Sequence, residues 1–135
     1  MSRYEILQNI FDSAEDDYYS LTQEEKTVYN LKSIYDAVNG AGLLSYYQGF
    51  AGGYASDALD DLYSVGMDEI AAIIESANAI FPECMPPEDT EERLEIIDEW
   101  EGEYDALFDE WTEEILEFTP PLMCELERLI EELDT

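Results

Sequence analysis

Histidine is absent from this chain of 135 residues, and lysine and arginine together number only 5. Without an imidazole there is no Ser-His-Asp or Cys-His nucleophile pair, and most zinc and di-iron sites lose a ligand. Against 35 Asp and Glu, so few bases leave a net charge of −30. Such a surface repels nucleic-acid phosphates and an anionic membrane alike, so direct binding to either is not expected. No apolar run approaches the ~20 residues of a spanning helix. No basic stretch followed by an apolar one opens the sequence, so a secretory leader is not expected either. The two cysteines, Cys84 and Cys124, are far apart and show no metal-like spacing. They read as small buried hydrophobes in a reducing compartment, and the expected location is cytoplasmic.

What is present argues for a folded domain. High net charge alone favours disorder, yet hydrophobic residues reach 46% and aromatics 13%, with ten Tyr. The length fits one domain with a real core. The apolar spacing is helical nearly throughout. Ile6, Leu7, Ile10 and Phe11 mark a helix over 4–14. Thr22 with Glu25 forms a capping box, opening a helix with Val28, Leu31, Ile34, Tyr35 and Val38 inward and stopped at Asn39-Gly40. A short helix and turn are expected over 40–53. Ser56 is expected to cap a helix with Leu59, Leu62 and Tyr63 inward, ended by Gly66. Another helix is expected over 68–81, with Ile70, Ile73, Ile74, Ala77 and Ile80 inward, before the loop at Pro82 and Pro86-Pro87. From Asp89 or Thr90, Leu94, Ile97, Trp100, Tyr104, Leu107, Phe108, Trp111, Ile115 and Phe118 recur at helical spacing, with Gly102 as a kink or break. Thr119-Pro120 reads as a cap followed by proline at the first helical position. The last helix carries Leu122, Leu126, Leu129, Ile130 and Leu133. No strand pattern appears. The expectation is an all-α single-domain bundle of six or seven helices. An N-terminal helix and connector occupy 1–21, helices with a Gly-rich turn 22–87, and strongly acidic helices 88–135.

The charge is unevenly placed. Residues 88–117 hold 15 acids and one base, Arg93, for which Asp89 is the expected partner. As a single helix this segment would carry one carboxylate per ~3.0 Å, close to the ~3.4 Å phosphate spacing of one DNA strand. The arrangement is costly. Like charges at 88/92, 91/95, 95/99, 99/103, 101/105, 105/109, 109/113, 110/114 and 113/117 would oppose the helix by on the order of 2–4 kcal/mol at low salt. A helix selected only for solubility would mix in Lys; this one does not, although salt adaptation of the whole protein produces the same bias.

Other constellations are weak. Asp57–Asp61 and Asp105–Glu113 lack the central Gly of a calcium loop, so no metal or other cofactor is expected. With 35 acids, some carboxylate pair always matches a glycosidase separation, so that signal is empty, and the protein is not expected to be an enzyme. Trp100, Tyr104, Phe108 and Trp111 fit a core stripe. Any of them left exposed, or the Leu126-Leu129-Ile130-Leu133 edge, would mark an interface.

The stretch 34–82 carries a resemblance. It reads Tyr35-Asp36-Ala37-Val38-Asn39-Gly40-Ala41-Gly42, then Ser45-Tyr46-Tyr47-Gln48-Gly49-Phe50. Gly53-Tyr54-Ala55, Asp57-Ala58-Leu59, Val65-Gly66-Met67 and a helix ending Ala79-Ile80-Phe81-Pro82 follow. This resembles the bacterial DNA-mimic protein (DMP) family over most of 28–118. That family's Asn-Gly-Gly-Phe step is altered here to Asn39-Gly40-Ala41-Gly42-Leu43, and its Gln-aromatic-aromatic order to Tyr46-Tyr47-Gln48. The resemblance implies an all-helical, often homodimeric domain whose acidic surface imitates the DNA backbone. Its implied partner is a basic DNA-binding protein, a helix-turn-helix transcription factor in the characterised family case. The Asn39–Gly53 motif itself reads as a helix-breaking turn over packed aromatics.

The expected function is therefore a double-stranded-DNA mimic that competitively inhibits a DNA-binding protein, such as a transcriptional regulator or a host defence nuclease. The expected phosphate-mimicking residues are Glu91, Glu95, Asp98, Glu99, Glu101, Asp105, Asp109, Glu113 and Glu117, with Asp57, Asp60 and Asp61 secondary. A few exposed apolar side chains are expected to supply specificity. The alternative is a non-mimic interaction module or inhibitor that binds a basic partner through an apolar patch, with the acids as a solvated rim.

Overall fold

A computed structural model describes residues 2–134. Its helices are α1 (Arg3–Asp17), α2 (Gln23–Asn39), α3 (Leu43–Gln48), α4 (Ala55–Ser64), α5 (Asp68–Asn78), α6 (Thr90–Glu99), α7 (Asp105–Leu116) and α8 (Thr119–Leu133). Short 3-10 turns follow α1, α3 and α5. The described residues thus form eight α-helices, more than the six or seven expected, and include no strand.

The central helix is α2, on which α1, α3, α4, α7 and α8 all pack. Its capping box closes in both directions: Thr22 Oγ1 accepts from the Glu25 N–H at 3.2 Å, and Glu25 Oε1 accepts from the Thr22 N–H at 2.9 Å. Val28, Leu31, Ile34 and Val38 then recur every three or four residues and are buried. The same spacing buries Ile6, Ile10 and Ala14 on α1 and Leu122, Leu126 and Ile130 on α8. The proposed C-terminal interface edge is therefore largely spent inside the fold, because α8 lies against α2. On α4, Ala55, Ala58 and Leu62 are buried, and on the adjoining α5 so are Ala71, Ile74 and Ala77. The small side chains at this crossing let the two backbones approach.

Several local expectations are corrected. The long acidic pattern is two helices. Glu101 (φ 49°) and Gly102 (φ 80°) are both left-handed, a conformation that ends any α-helix. Of the nine like-charged pairs, only 91/95, 95/99, 105/109, 109/113, 110/114 and 113/117 keep helical geometry. The opposing energy falls to about 1–3 kcal/mol at low salt. Ser56 does not cap α4; Tyr54 precedes it, and Tyr63 is exposed. The helix after Asp68 stops at Asn78, short of Phe81, and a 3-10 turn takes up Pro82. Thr119 lies inside α8, its hydroxyl donating to the Leu116 carbonyl, with the prolines in the first turn. The expectation of buried cysteines is corrected: Cys84 and Cys124 are exposed, Cys84 in a turn that buries none of its residues and Cys124 off the Leu122-Leu126-Ile130 face of α8.

Candidate functional site: acidic helices seated on α3

The acidic helices are held by the two ends of one six-residue helix. At the C-terminal end of α3, Arg93 of α6 is fully buried, 0% exposed. Its Nε donates to the Tyr47 carbonyl at 2.9 Å. Its Nη1 donates to the carbonyls of Pro87 at 2.7 Å and Glu88 at 2.8 Å. Its Nη2 donates to the Gly49 carbonyl and to Thr90 Oγ1. All five N–H donors of a guanidinium are thereby used. The charge is met by carbonyl dipoles at a helix C-terminus, where cations are favoured. Burial pulls the Arg93 pKa below the ordinary arginine value. The expected Arg93–Asp89 pair does not form. Asp89 instead caps α6, accepting from the Glu91 N–H at 2.9 Å. Gly53 makes room for this clamp: a Cβ there would stand 2.6 Å from the Glu88 carbonyl oxygen and 2.9 Å from Arg93 Nη1.

At the other end of α3, Thr112 of α7 accepts from the Leu43 N–H at 2.8 Å while donating to the Phe108 carbonyl at 2.8 Å. That N–H belongs to the first turn of α3 and has no partner within the helix. Phe108 is buried beneath, within a run of aromatic contacts through Trp100, Tyr104 and Trp111. Those three are half-buried, so the aromatic stripe lies against the core as expected.

These anchors fix what faces outward. Glu91, Glu95, Asp98, Glu99, Glu101, Asp105, Asp109, Glu113 and Glu117 are all exposed. Two shallow depressions flank α3 and share Gln48. One is lined with Leu94, Glu95, Ile97 and Asp98 of α6. The other is lined with Leu44 and with Asp105 and Asp109 of α7. Carboxylates from α6 and from α7 thus flank Gln48 of α3, each set in its own depression. Glu91, Glu99, Glu101, Glu113 and Glu117 line neither depression. Each helix keeps the expected density. Five acids on the 10 residues of α6 and five on the 12 of α7 give one per about 3.0–3.6 Å of axis.

The secondary carboxylates divide. Asp57 and Asp60 are exposed, but Asp61 is only 5% exposed and is bonded inside the fold. It cannot stand in a surface row. Asp57 instead lines a separate groove with Glu83, Glu88, Glu92, Tyr19 and Tyr54. Tyr19 Oη donates to Glu88 Oε2 there, and Tyr18 Oη to Asp57 Oδ2, both at 2.9 Å.

Sequence reasoning missed Glu83, Glu88 and Glu92, which the loop after α5 and the first turn of α6 bring to the groove beside Asp57. It also placed Leu94 and Leu107 inward. They are 42% and 36% exposed, and Leu116 is 37% exposed. The inward stripe of α6 is Arg93, Ile97 and Trp100, and its charged member hid it from a search for apolar residues. Three of the four remaining bases are engaged by acids outside the 88–117 segment. Arg3 pairs with Glu127, Lys32 with Asp36, and Arg128 with Glu125 and Glu132. No helix among the described residues is long and apolar enough to cross a membrane.

The scaffold is an acidic all-helical domain with carboxylates from two helices flanking a third. A family model described as DMP19-like protein matches residues 19–133, and the chain belongs to that family. Comparison with curated proteins and with solved structures gives no match.

Proposed function

We propose that this protein is a mimic of double-stranded DNA, a binding protein and not an enzyme, which occupies the DNA-binding surface of a basic protein. The carrying observation is the exposure of all nine expected phosphate-mimicking carboxylates on and beside α6 and α7 while the segment's one base is withdrawn into the core. Family membership supports the same reading. In it, Glu95, Asp98, Asp105 and Asp109 around Gln48 take the place of phosphates and meet Lys and Arg of the partner. The outer acids Glu91, Glu99, Glu101, Glu113 and Glu117 extend the field that steers encounter. Exposed Leu94, Leu107 and Leu116 add the shape and apolar contact that charge alone does not supply. The partner is a transcriptional regulator or a defence nuclease of the DNA-binding kind, and the protein acts in the cytoplasm, as a monomer or a homodimer.

The test neutralises Glu95, Asp98, Glu101, Asp105 and Asp109 together to Gln or Asn and measures affinity for a partner captured from native lysate. Mimicry predicts lost binding with fold stability equal or higher, because like-charge repulsion is relieved. Retained affinity would establish the acids as a solvated rim around an apolar contact.

A further inference from the structure

A buried polar chain joins two carboxylates one helical turn apart on α4. Asp61 Oδ2 accepts from Asn30 Nδ2 at 2.9 Å. The same Nδ2 donates to Tyr18 Oη at 3.0 Å, and Tyr18 Oη donates to Asp57 Oδ2 at 2.9 Å. Asp61 Oδ1 lies 3.0 Å from Thr27 Oγ1 and 3.1 Å from Gln23 Nε2. Asn30 is fully buried, and its Oδ1 has no partner, while its Nδ2 donates twice. The direction of every proton in the chain follows from this. An ionised Asp61 requires a donor, so Nδ2 faces it. Nδ2 then also faces Tyr18, whose own proton must point to Asp57.

We propose that the Asp61–Asn30–Tyr18–Asp57 chain is a proton-operated switch, in which protonation of buried Asp61 turns the Asn30 amide over and releases Asp57 from Tyr18. Asp61 takes one proton from solvent on Oδ2. Two donors, Asp61 O–H and Asn30 N–H, then oppose each other, and a half-turn about the Asn30 Cβ–Cγ bond relieves the conflict. Oδ1 gains the partners it lacked, accepting from Asp61 O–H and from Tyr18 O–H. The Tyr18 proton leaves Asp57 Oδ2, so that exposed carboxylate is freed. One proton is taken up and no bond between heavy atoms changes.

The surroundings favour proton uptake. From α4 itself, Asp57 and Asp60 add negative charge. From α2, Gln23, Thr27 and Asn30 offer neutral donors, and Lys26 sits over the Tyr18 and Tyr19 rings. The turn after α1 contributes Tyr18, the 3-10 turn after α3 contributes Tyr54 stacked on it, and α3 contributes Tyr46, whose buried hydroxyl is unpartnered. From α5, Ile70, Ala71, Ile74 and Ala77 are buried, and Asp68, Glu69 and Glu75 stay exposed. Burial first, then the neighbouring carboxylates, raises the Asp61 pKa above the ordinary Asp value, against the lowering effect of the Asn30 and Thr27 bonds.

The switch belongs to the fold and needs no partner, so its failure leaves the mimic reading intact. The test is a pH titration of the whole isotope-labelled protein by NMR, reading the Asp57 and Asp61 carboxyl carbons and the Asn30 side-chain amide. The expected result is an Asn30 amide shift and a second step in Asp57, both at the Asp61 midpoint. Tyr18→Phe keeps the through-space coupling of the two carboxylates but removes the hydroxyl, so most of that Asp57 step should vanish while Asp61 still titrates. Asp61→Asn should hold the Asn30 amide in its turned state at every pH. An Asn30 amide unmoved across the Asp61 midpoint overturns the proposal in the unmodified protein alone. An Asp57 step of unchanged size in Tyr18→Phe overturns it as well.

Discussion

Replacing Arg93 with Met keeps the volume and apolar stem of the side chain but removes all five donors. Four carbonyls and one hydroxyl then lose their partner. The carbonyls of Pro87 and Glu88 lie in the loop before α6 and can be rewetted, whereas the Tyr47 carbonyl is buried at the end of α3. A hydrogen bond to a charged group contributes about 1.5–3 kcal/mol, and an orphaned buried acceptor costs about 1–3 kcal/mol. Partial rewetting and relief of the buried charge bring the expected loss to about 3–5 kcal/mol. That is a large share of the ~5–15 kcal/mol by which a domain is stable. Urea unfolding at moderate salt measures it, with amide exchange showing where it falls. Protection should drop first in α6 and then in α3, with α1 and α8 least affected. Arg93→Lys, with three donors and no planar fork, should recover only part. A change below about 1 kcal/mol for Arg93→Met would refute the clamp as a stabilising device. Arg128, exposed and paired on the surface of α8, is the control, and its replacement by Ala should leave the midpoint unchanged.

Three further outcomes are expected. Added salt should raise the thermal midpoint, because it screens the six helical like-charge pairs that oppose folding by about 1–3 kcal/mol at low ionic strength. Insensitivity to salt would show that the repulsion is not felt. Gly53→Ala should cost about 1–3 kcal/mol, since its Cβ meets the Glu88 carbonyl and the Arg93 guanidinium; a neutral effect would mean that the loop yields freely. Stability should also fall in alkali. Burial pushes the Tyr29 and Tyr54 phenols up to about 12 from an ordinary 10.0. Because these pKa values are raised in the folded state, their contribution is complete below pH 10 and is lost as pH climbs toward 12. Unfolding and phenolate absorbance should therefore rise together in that window. Phenolate formation without unfolding would place these hydroxyls in solvent.

Helix identity was legible because it rests on an apolar spacing that α2, α5 and α8 largely obey, with Ile80 falling beyond the end of α5, and on a capping box that closes as read. The break at Glu101-Gly102 was visible as a glycine. The left-handed Glu101 was not, because a non-glycine residue carries no sequence signal for that conformation. Arg93 and Asp61 were misplaced for one shared reason. A sequence pattern assigns charge to the surface, and both groups are buried where backbone carbonyls or neutral donors receive them. The acids expected on α6 and α7 are indeed exposed, but Leu94, Leu107 and Leu116 share the outer faces that an apolar count assigns to acids alone. The placement of the acids on either side of Gln48 is a tertiary fact that no spacing within 88–117 encodes.

Competition between this protein and DNA for one surface is tested most directly by displacement. The captured partner, bound to this protein, is titrated with duplex DNA at low and at high salt. Mimicry predicts that DNA and the protein displace each other, and that both complexes weaken together as salt rises. A complex that survives excess duplex DNA and high salt unchanged would contradict it.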